Sequence, residues 1–145
     1  MRAILQRVSH ARVSVESHIL AEINLGLMIL LGVEKSDTRE KTDKLVQKIA
    51  NLRIFNDTQG KMNLSVLDVH GDAIVVSQFT LMADTRKGNR PSFVDAAPPE
   101  LASPLVDYFT RQLNQMGVPA QSGEFGAHML VEIANDGPVT ISLQI

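Results

Sequence analysis

The side chains able to start acyl or phosphoryl chemistry are sparse in this chain, and their spacing narrows the options. His10, His18, His70 and His128 stand alone, with no two of them three to five residues apart. The local spacing of a metal-binding histidine pair is therefore missing. There is no cysteine, which removes a thiolate nucleophile, a thiolate zinc site and a disulfide scaffold together. No Gly-x-Ser-x-Gly elbow and no glycine-rich phosphate loop occurs. A Ser-His-Asp triad gathered from distant residues stays open, but nothing points to one. We expect no metal and no cofactor.

Three segments carry more information. The first is Ser77-Gln78-Phe79-Thr80-Leu81. Read as the end of a strand, it puts Val76, Gln78, Thr80 and Met82 on one face and Val75, Ser77, Phe79 and Leu81 on the other. An apolar strand that turns polar on one face at its end has two readings: entry into a cleft, or an edge face meeting solvent. The second segment is Asn135-Asp136-Gly137-Pro138-Val139-Thr140, where a Gly-Pro step before a strand ordinarily marks a plain turn. The third, Gly123-Glu124-Phe125-Gly126-Ala127-His128-Met129, sets Phe and Met among small residues. That composition suits a flat slot for a base, or a core plug.

The elements that position these segments follow from hydrophobic period and punctuation. Residues 1–15 read as strand, with a turn at Glu16-Ser17-His18 leading into a strand over 19–23. The run 27–33 reads as a strand buried on both faces. A helix begins near Asp37, with Glu40 three residues on as a capping-box pair and Leu45, Val46, Ile49 and Leu52 as its apolar stripe. Lys41, Lys44 and Lys48 form a basic stripe on another side, most simply a solvated face. A short segment over 62–67 and a strand over 73–82 follow. Residues 83–92 form a polar loop. Pro98-Pro99 opens a second helix that runs to about Met116 and ends at Gly117. Short strands are expected over 118–121 and 129–133, and an alternating one over 139–145. Eight strand segments and two helices without regular strand–helix alternation make the class α+β. The sheet is expected to be curved, barrel-like and mostly antiparallel, with two main helices packed against it.

The chain has 145 residues, one domain's worth, so residues 1–145 are read as a single domain. Apolar residues make up 44% and charged residues 21%, a globular composition with enough Val, Ile and Leu to offset chain entropy. No signal peptide or membrane span is apparent. The expected location is cytoplasmic. Net charge is −2, unlike the strongly basic proteins that grip nucleic acid along their length. Any nucleic-acid footprint should be small, such as one strand end.

Taken together, Ser77-Gln78-Phe79-Thr80-Leu81 and Asn135-Asp136-Gly137-Pro138-Val139-Thr140 resemble the two signature motifs of the D-aminoacyl-tRNA deacylases. Met1-Arg2, Gln6-Arg7-Val8, Leu52-Arg53-Ile54-Phe55, Gly60-Lys61-Met62-Asn63, Arg90-Pro91-Ser92-Phe93 and Gly123 with Phe125-Gly126-Ala127 agree, so the resemblance spans the chain. It implies hydrolysis of the ester that joins a D-amino acid to the terminal adenosine of tRNA. It implies a homodimer with active sites at the subunit interface. In each site the Ser77–Leu81 segment of one chain would meet a cis Gly137-Pro138 pair of the other. Arg7 would hold that pair, and Phe125 and Met129 would flank the adenine. The catalytic set would be Gln78, Phe79 and Thr80, with Arg7, Ser77, Phe125, Met129, Gly137 and Pro138 binding substrate.

These residue types suit the task. An enzyme that accepts many D side chains and rejects every L one cannot select by side-chain shape. The direction in which Cβ leaves Cα is the distinguishing feature. A backbone wall on the L side reads it, since Gly lets main chain approach closely and Pro fixes its φ. Glycine, lacking a side chain, should pass the same wall, so glycyl-tRNA should also be hydrolysed. The aminoacyl ester is already activated, so positioning and an oxyanion site suffice. Backbone N–H groups of Phe79 and Thr80 are the candidate oxyanion donors, with Gln78 assisting. Thr80 has no evident base beside it and is read as an orienting hydroxyl, with the substrate's 2′-OH helping to activate water. Arg86, Lys87 and Arg90 either touch the acceptor-end backbone or solubilise their loop. The alternatives are a non-catalytic tRNA 3′-end binding module, a structural β-domain, or an esterase of small metabolites.

Overall fold

The long first strand organises everything else. In the computed structural model, which describes residues 1–145, β1 (Arg2–Val15) pairs along its length with other strands. A two-residue turn at Glu16 and Ser17, with φ of 46° and 70°, returns the chain in the twist that hairpins favour. The returning arm comprises β2 (His18–Ile23) and β3 (Gly26–Gly32). Ala11 faces Ile23, and Val8 faces Gly26 in the same register. β2 and β3 are thus one antiparallel arm interrupted at Asn24-Leu25. Gly26 leaves room there for Asp72, whose carbonyl oxygen lies 2.0 Å from where a Cβ would stand.

Helix α1 (Arg39–Ala50) follows, then a short hairpin of β4 (Phe55–Asn56) and β5 (Met62–Leu64). Next come β6 (Asp72–Ser77), helix α2 (Pro99–Gln115), β7 (Ala120–Ser122) and β8 (Leu130–Gln144). β6 lies parallel to β3, and β7 lies parallel to β6. β8 runs antiparallel along β1. The sheet order is β2-β1-β3-β6-β7, with β8 on β1. The far ends are drawn together by Gln121. Its side-chain amide donates to the Glu22 carbonyl at 2.9 Å and accepts from the Glu22 N–H at 3.2 Å. One side chain thereby does the work of two ladder bonds and nearly closes the barrel. The fold is α+β with a curved mixed sheet and two helices, as the sequence pattern leads one to expect.

Strands buried on both faces serve two cores. Leu27, Ile29 and Leu31 of β3 and Ala73 and Val75 of β6 pack against the helices, on Leu45, Ile49, Phe109 and Leu113. Met28, Ile74 and Val76 point the other way, into the barrel with Val8, Val13 and Ile23. Each fully buried Leu or Ile contributes about 1.5–3 kcal/mol. No helix is long and apolar enough to cross a membrane.

The structure departs from the sequence reading at three places. Asp37 does not cap α1; Thr38 does, accepting from the Lys41 N–H. The Asp37 carboxylate instead binds the α-ammonium of Met1 at 2.6 Å, with both groups fully buried. Its other oxygen accepts from the Glu34 N–H at 2.7 Å, and the ammonium also donates to the Ile145 carbonyl at 2.9 Å. Second, the strand expected over 73–82 stops at Ser77, and Phe79–Met82 forms a 3₁₀ turn. Third, the strands expected over 129–133 and 139–145 are one continuous strand, β8. It bulges at Asp136–Val139, where β1 offers Arg7 with no partner in the ladder.

Candidate functional site

A cleft of about 610 Å³ opens where β6 ends. Ser77, Gln78 and Phe79 form one wall, and Phe125 to Met129 form another. Phe93 and the stretch from Ala96 to Ala102 close the third side. Most of the lining is apolar, which suits a planar base; its polar side chains are Ser77 and Gln78 on one wall and His128 on the other.

The 3₁₀ turn starts just past Gln78; of its residues Phe79 lines the cleft, while Thr80 does not. Its first amides, those of Phe79 and Thr80, have no acceptor inside the turn, as at any helix start. The Gln78 side-chain amide donates to the Thr80 hydroxyl, fixing both groups. Phe79 is exposed and meets Phe93 edge-on, with ring centroids 5.0 Å apart. From behind, the Arg2 guanidinium donates to the Leu81 carbonyl at 3.0 Å and lies 3.4 Å from the Glu34 carboxylate. Gly32 leaves the space. A Cβ there would stand 2.5 Å from the Met82 Cε and 3.0 Å from the Leu81 Cβ. Leu81 and Met82 fold back over Gly32 just after the strand ends at Ser77.

On the opposite wall, Gly123 does a similar service for Met129, whose sulfur would sit 2.5 Å from a Cβ at Gly123. Met129 packs against the barrel core and lines the cleft, as Phe125 does. Phe93 and His128 line the cleft, although neither was singled out above as a site residue. Phe93 sits in a polar loop with no hydrophobic period to mark it.

Arg7, Gly137 and Pro138 do not line this cleft. They form a second constellation on the β8 bulge. The buried Arg7 donates from Nε to the Asp136 carbonyl at 2.9 Å and from Nη1 to the Ile54 carbonyl at 2.7 Å. Asn135 spans the bulge from the other side. Its side-chain carbonyl oxygen accepts from the Val139 N–H at 2.9 Å and its side-chain amide donates to the Thr140 hydroxyl at 3.2 Å. The Gly137–Pro138 peptide is cis, and Gly137 has φ of 134°. Both residues are exposed, on a strand whose outer edge pairs with nothing in this chain. Of the loop cations, Arg86 is committed, binding Asp84 through two nitrogens at 2.9 and 2.7 Å. That guanidinium holds the Asp84 carboxyl down at about 2. No three His, Asp or Glu side chains gather as a metal-binding group.

Residues 4–144 match the family described as D-Tyr-tRNA(Tyr) deacylase. The chain belongs to that family. It is 55% identical over 143 residues to a D-aminoacyl-tRNA deacylase of Roseiflexus castenholzii, covering 99% of this chain and 91% of that protein. It is 53% identical over 145 residues to one of Pseudomonas putida, covering both in full. Among solved structures, a c-Myc DNA unwinding element binding protein superposes with a TM-score of 0.94 at 41% identity, covering 100% of this chain and 99% of that one. Family membership supports hydrolysis of D-aminoacyl-tRNA.

Proposed function

We propose that the 145 residues act as one domain, in the cytoplasm and as a homodimer, and that each active site combines two chains. The cleft of one copy holds the terminal adenosine, between Phe125 and Met129. The Gly137-Pro138 bulge of the other copy closes it. The observation that carries this reading is the separation of the two constellations. The bulge is clamped by Arg7 and Asn135, exposed, and outside the cleft of its own chain. A main-chain segment held that firmly at an unpaired strand edge is built to meet another surface.

On this reading handedness is judged by backbone. The substrate's α-carbon lies against Gly137 and Pro138, so an L side chain strikes main chain while a D side chain points to open space. Glycyl-tRNA passes as well. In the chemical step a water oxygen attacks the ester carbonyl carbon, and the Phe79 and Thr80 N–H groups stabilise the developing oxyanion. The bond to the ribose 3′-oxygen then breaks, that oxygen takes a proton, and free tRNA and D-amino acid leave. Gln78 and Thr80 orient the carbonyl and the water, and the adjacent 2′-OH relays the proton. The protein supplies position and charge stabilisation without a metal or cofactor.

Matched D-, L- and glycyl-tRNAs, assayed with and without a chelator, test the reading. It predicts fast release from the D and glycyl esters, sparing of the L ester, and no effect of chelation. Equal hydrolysis of D and L esters would overturn it.

A further inference from the structure

A second concave surface shares no lining residue with the cleft, and the charged side chains that line it are all cationic. A groove of about 570 Å³ runs past the C-terminal end of α1, lined by Lys44, Gln47, Lys48, Asn51 and Arg53 with no carboxylate among its walls. Lys44 and Lys48 are one helical turn apart on the exposed face of α1. Helix α1 ends at its cap Asn51, whose N–H still bonds to the Gln47 carbonyl, and Arg53 lines the same groove just beyond that end. Lys44, Lys48 and Arg53 make no ion pair, which is also true of Lys35, Arg39, Lys61, Lys87, Arg90 and Arg111; what sets the groove apart is that three such cations share one concave surface. Arg53 does no more than help lower the Asp68 pKa from a distance. A lysine in the last turn of a helix offsets its dipole, which accounts for Lys48 but not for Lys44 or Arg53.

The position of the groove gives this charge a use. Arg53 is the residue before Ile54, whose carbonyl accepts from Arg7, and Arg7 holds Asp136 of the bulge. The groove is therefore the back of the clamp that carries Gly137-Pro138. We propose that it binds the sugar-phosphate backbone of the tRNA acceptor arm whose terminal adenosine sits in the cleft of the other copy. This rests on the two-chain reading above. Cations interleaved with side-chain amides are the groups that position a nucleic-acid backbone without reading its sequence. The same chain would then lend one active site both its chirality wall and its grip on the tRNA body, and an acidic protein would hold a polyanion through one local patch.

The test compares two substrates with the full-length protein: intact D-aminoacyl-tRNA, and the D-aminoacyl ester of a CCA trinucleotide, which has no stem. The variant is Lys44→Gln/Lys48→Gln/Arg53→Gln, with Lys44→Gln/Lys48→Gln as a second variant that leaves the chain next to Ile54 untouched. The ratio of kcat/KM for tRNA to that for the trinucleotide should fall at least tenfold in the triple variant. The salt dependence of the tRNA KM should lose a slope of about 2.7 in the triple variant and about 1.8 in the double, at about 0.9 per phosphate contact. A ratio and slope unchanged in both variants would overturn the groove alone. Failure of the unmodified protein to cleave either substrate would overturn the two-chain deacylase reading, and the groove proposal with it.

Discussion

Replacing Asp37 by Asn should lower the stability of the fold by several kcal/mol. The carboxylate is fully buried against the Met1 ammonium, which is also fully buried. Asn keeps the shape and removes the charge, leaving an ammonium inside the protein with the Ile145 carbonyl as its one remaining strong acceptor. Breaking a buried pair by deleting one partner costs about 3–5 kcal/mol, because the other charge stays desolvated. At about 3 °C per kcal/mol for a chain of this size, the midpoint of thermal unfolding should drop by about 9–15 °C. Urea unfolding should show the loss as a lower midpoint with an unchanged slope. The same carboxylate also receives the Glu34 N–H, and Glu34 sits beside Arg2, which holds the Leu81 carbonyl of the 3₁₀ turn. Deacylation should therefore become more heat-sensitive in step with folding. A loss below about 1 kcal/mol would show that the N-terminal amine is not the partner the structure makes it, and the reasoning would fall.

Three further outcomes are expected. Gly137→Ala places a Cβ 2.7 Å from the Val139 Cγ2 and 3.0 Å from the Arg7 Nη2, at a φ that L residues avoid; strain of about 1–3 kcal/mol should shift the wall, and the ratio of D to L hydrolysis rates should fall at least tenfold. Thr80→Val keeps the shape of an orienting group, so kcat should stay within about tenfold of the unmodified protein, each tenfold being about 1.4 kcal/mol; capture of an acyl group on Thr80 by rapid quench would contradict this. The Asp84 carboxyl has its folded pKa lowered to about 2 by Arg86, so the clasp contributes fully above the unfolded value near 3.8 and is lost as pH falls toward 2. A carboxyl NMR titration following Asp84 should place its midpoint well below that of an ordinary aspartate.

Much of this was readable from residue pattern, and the exceptions share a cause. Periodicity located both helices, the buried β3 strand and the hairpin at Glu16-Ser17, because those depend on neighbours in sequence. The Asp37–Glu40 spacing looked like a cap, yet a group 36 residues away claimed the carboxylate. Alternation through Leu81 looked like strand, yet Gly32 and Arg2, both far off in the chain, turn Phe79–Met82 into a 3₁₀ turn. Asn135–Val139 looked like a turn between two strands. It is a bulge in one strand because β1 runs unbroken opposite it. For the candidate site, the two motifs were visible in the chain and the family resemblance implied that they act from different copies, but residue pattern alone did not show that Gly137 and Pro138 lie outside the cleft of their own chain. Phe93 carries no local signal and joins the cleft through a loop that the fold folds over Phe79. Lys44 and Lys48, part of the lysine stripe read as a solvated face, line one groove with Arg53 from beyond the end of α1.

The central claim is that one copy's main chain judges the hand of the amino acid held by the other. A crystal structure of the protein with a non-hydrolysable amide analogue of D-aminoacyl-adenosine tests it most directly. The account predicts the ligand in the cleft beside Phe79 and Phe125, with Gly137 and Pro138 of the second copy in van der Waals contact with its α-carbon. A ligand bound in the cleft with both copies' 137–138 segments facing solvent would contradict it.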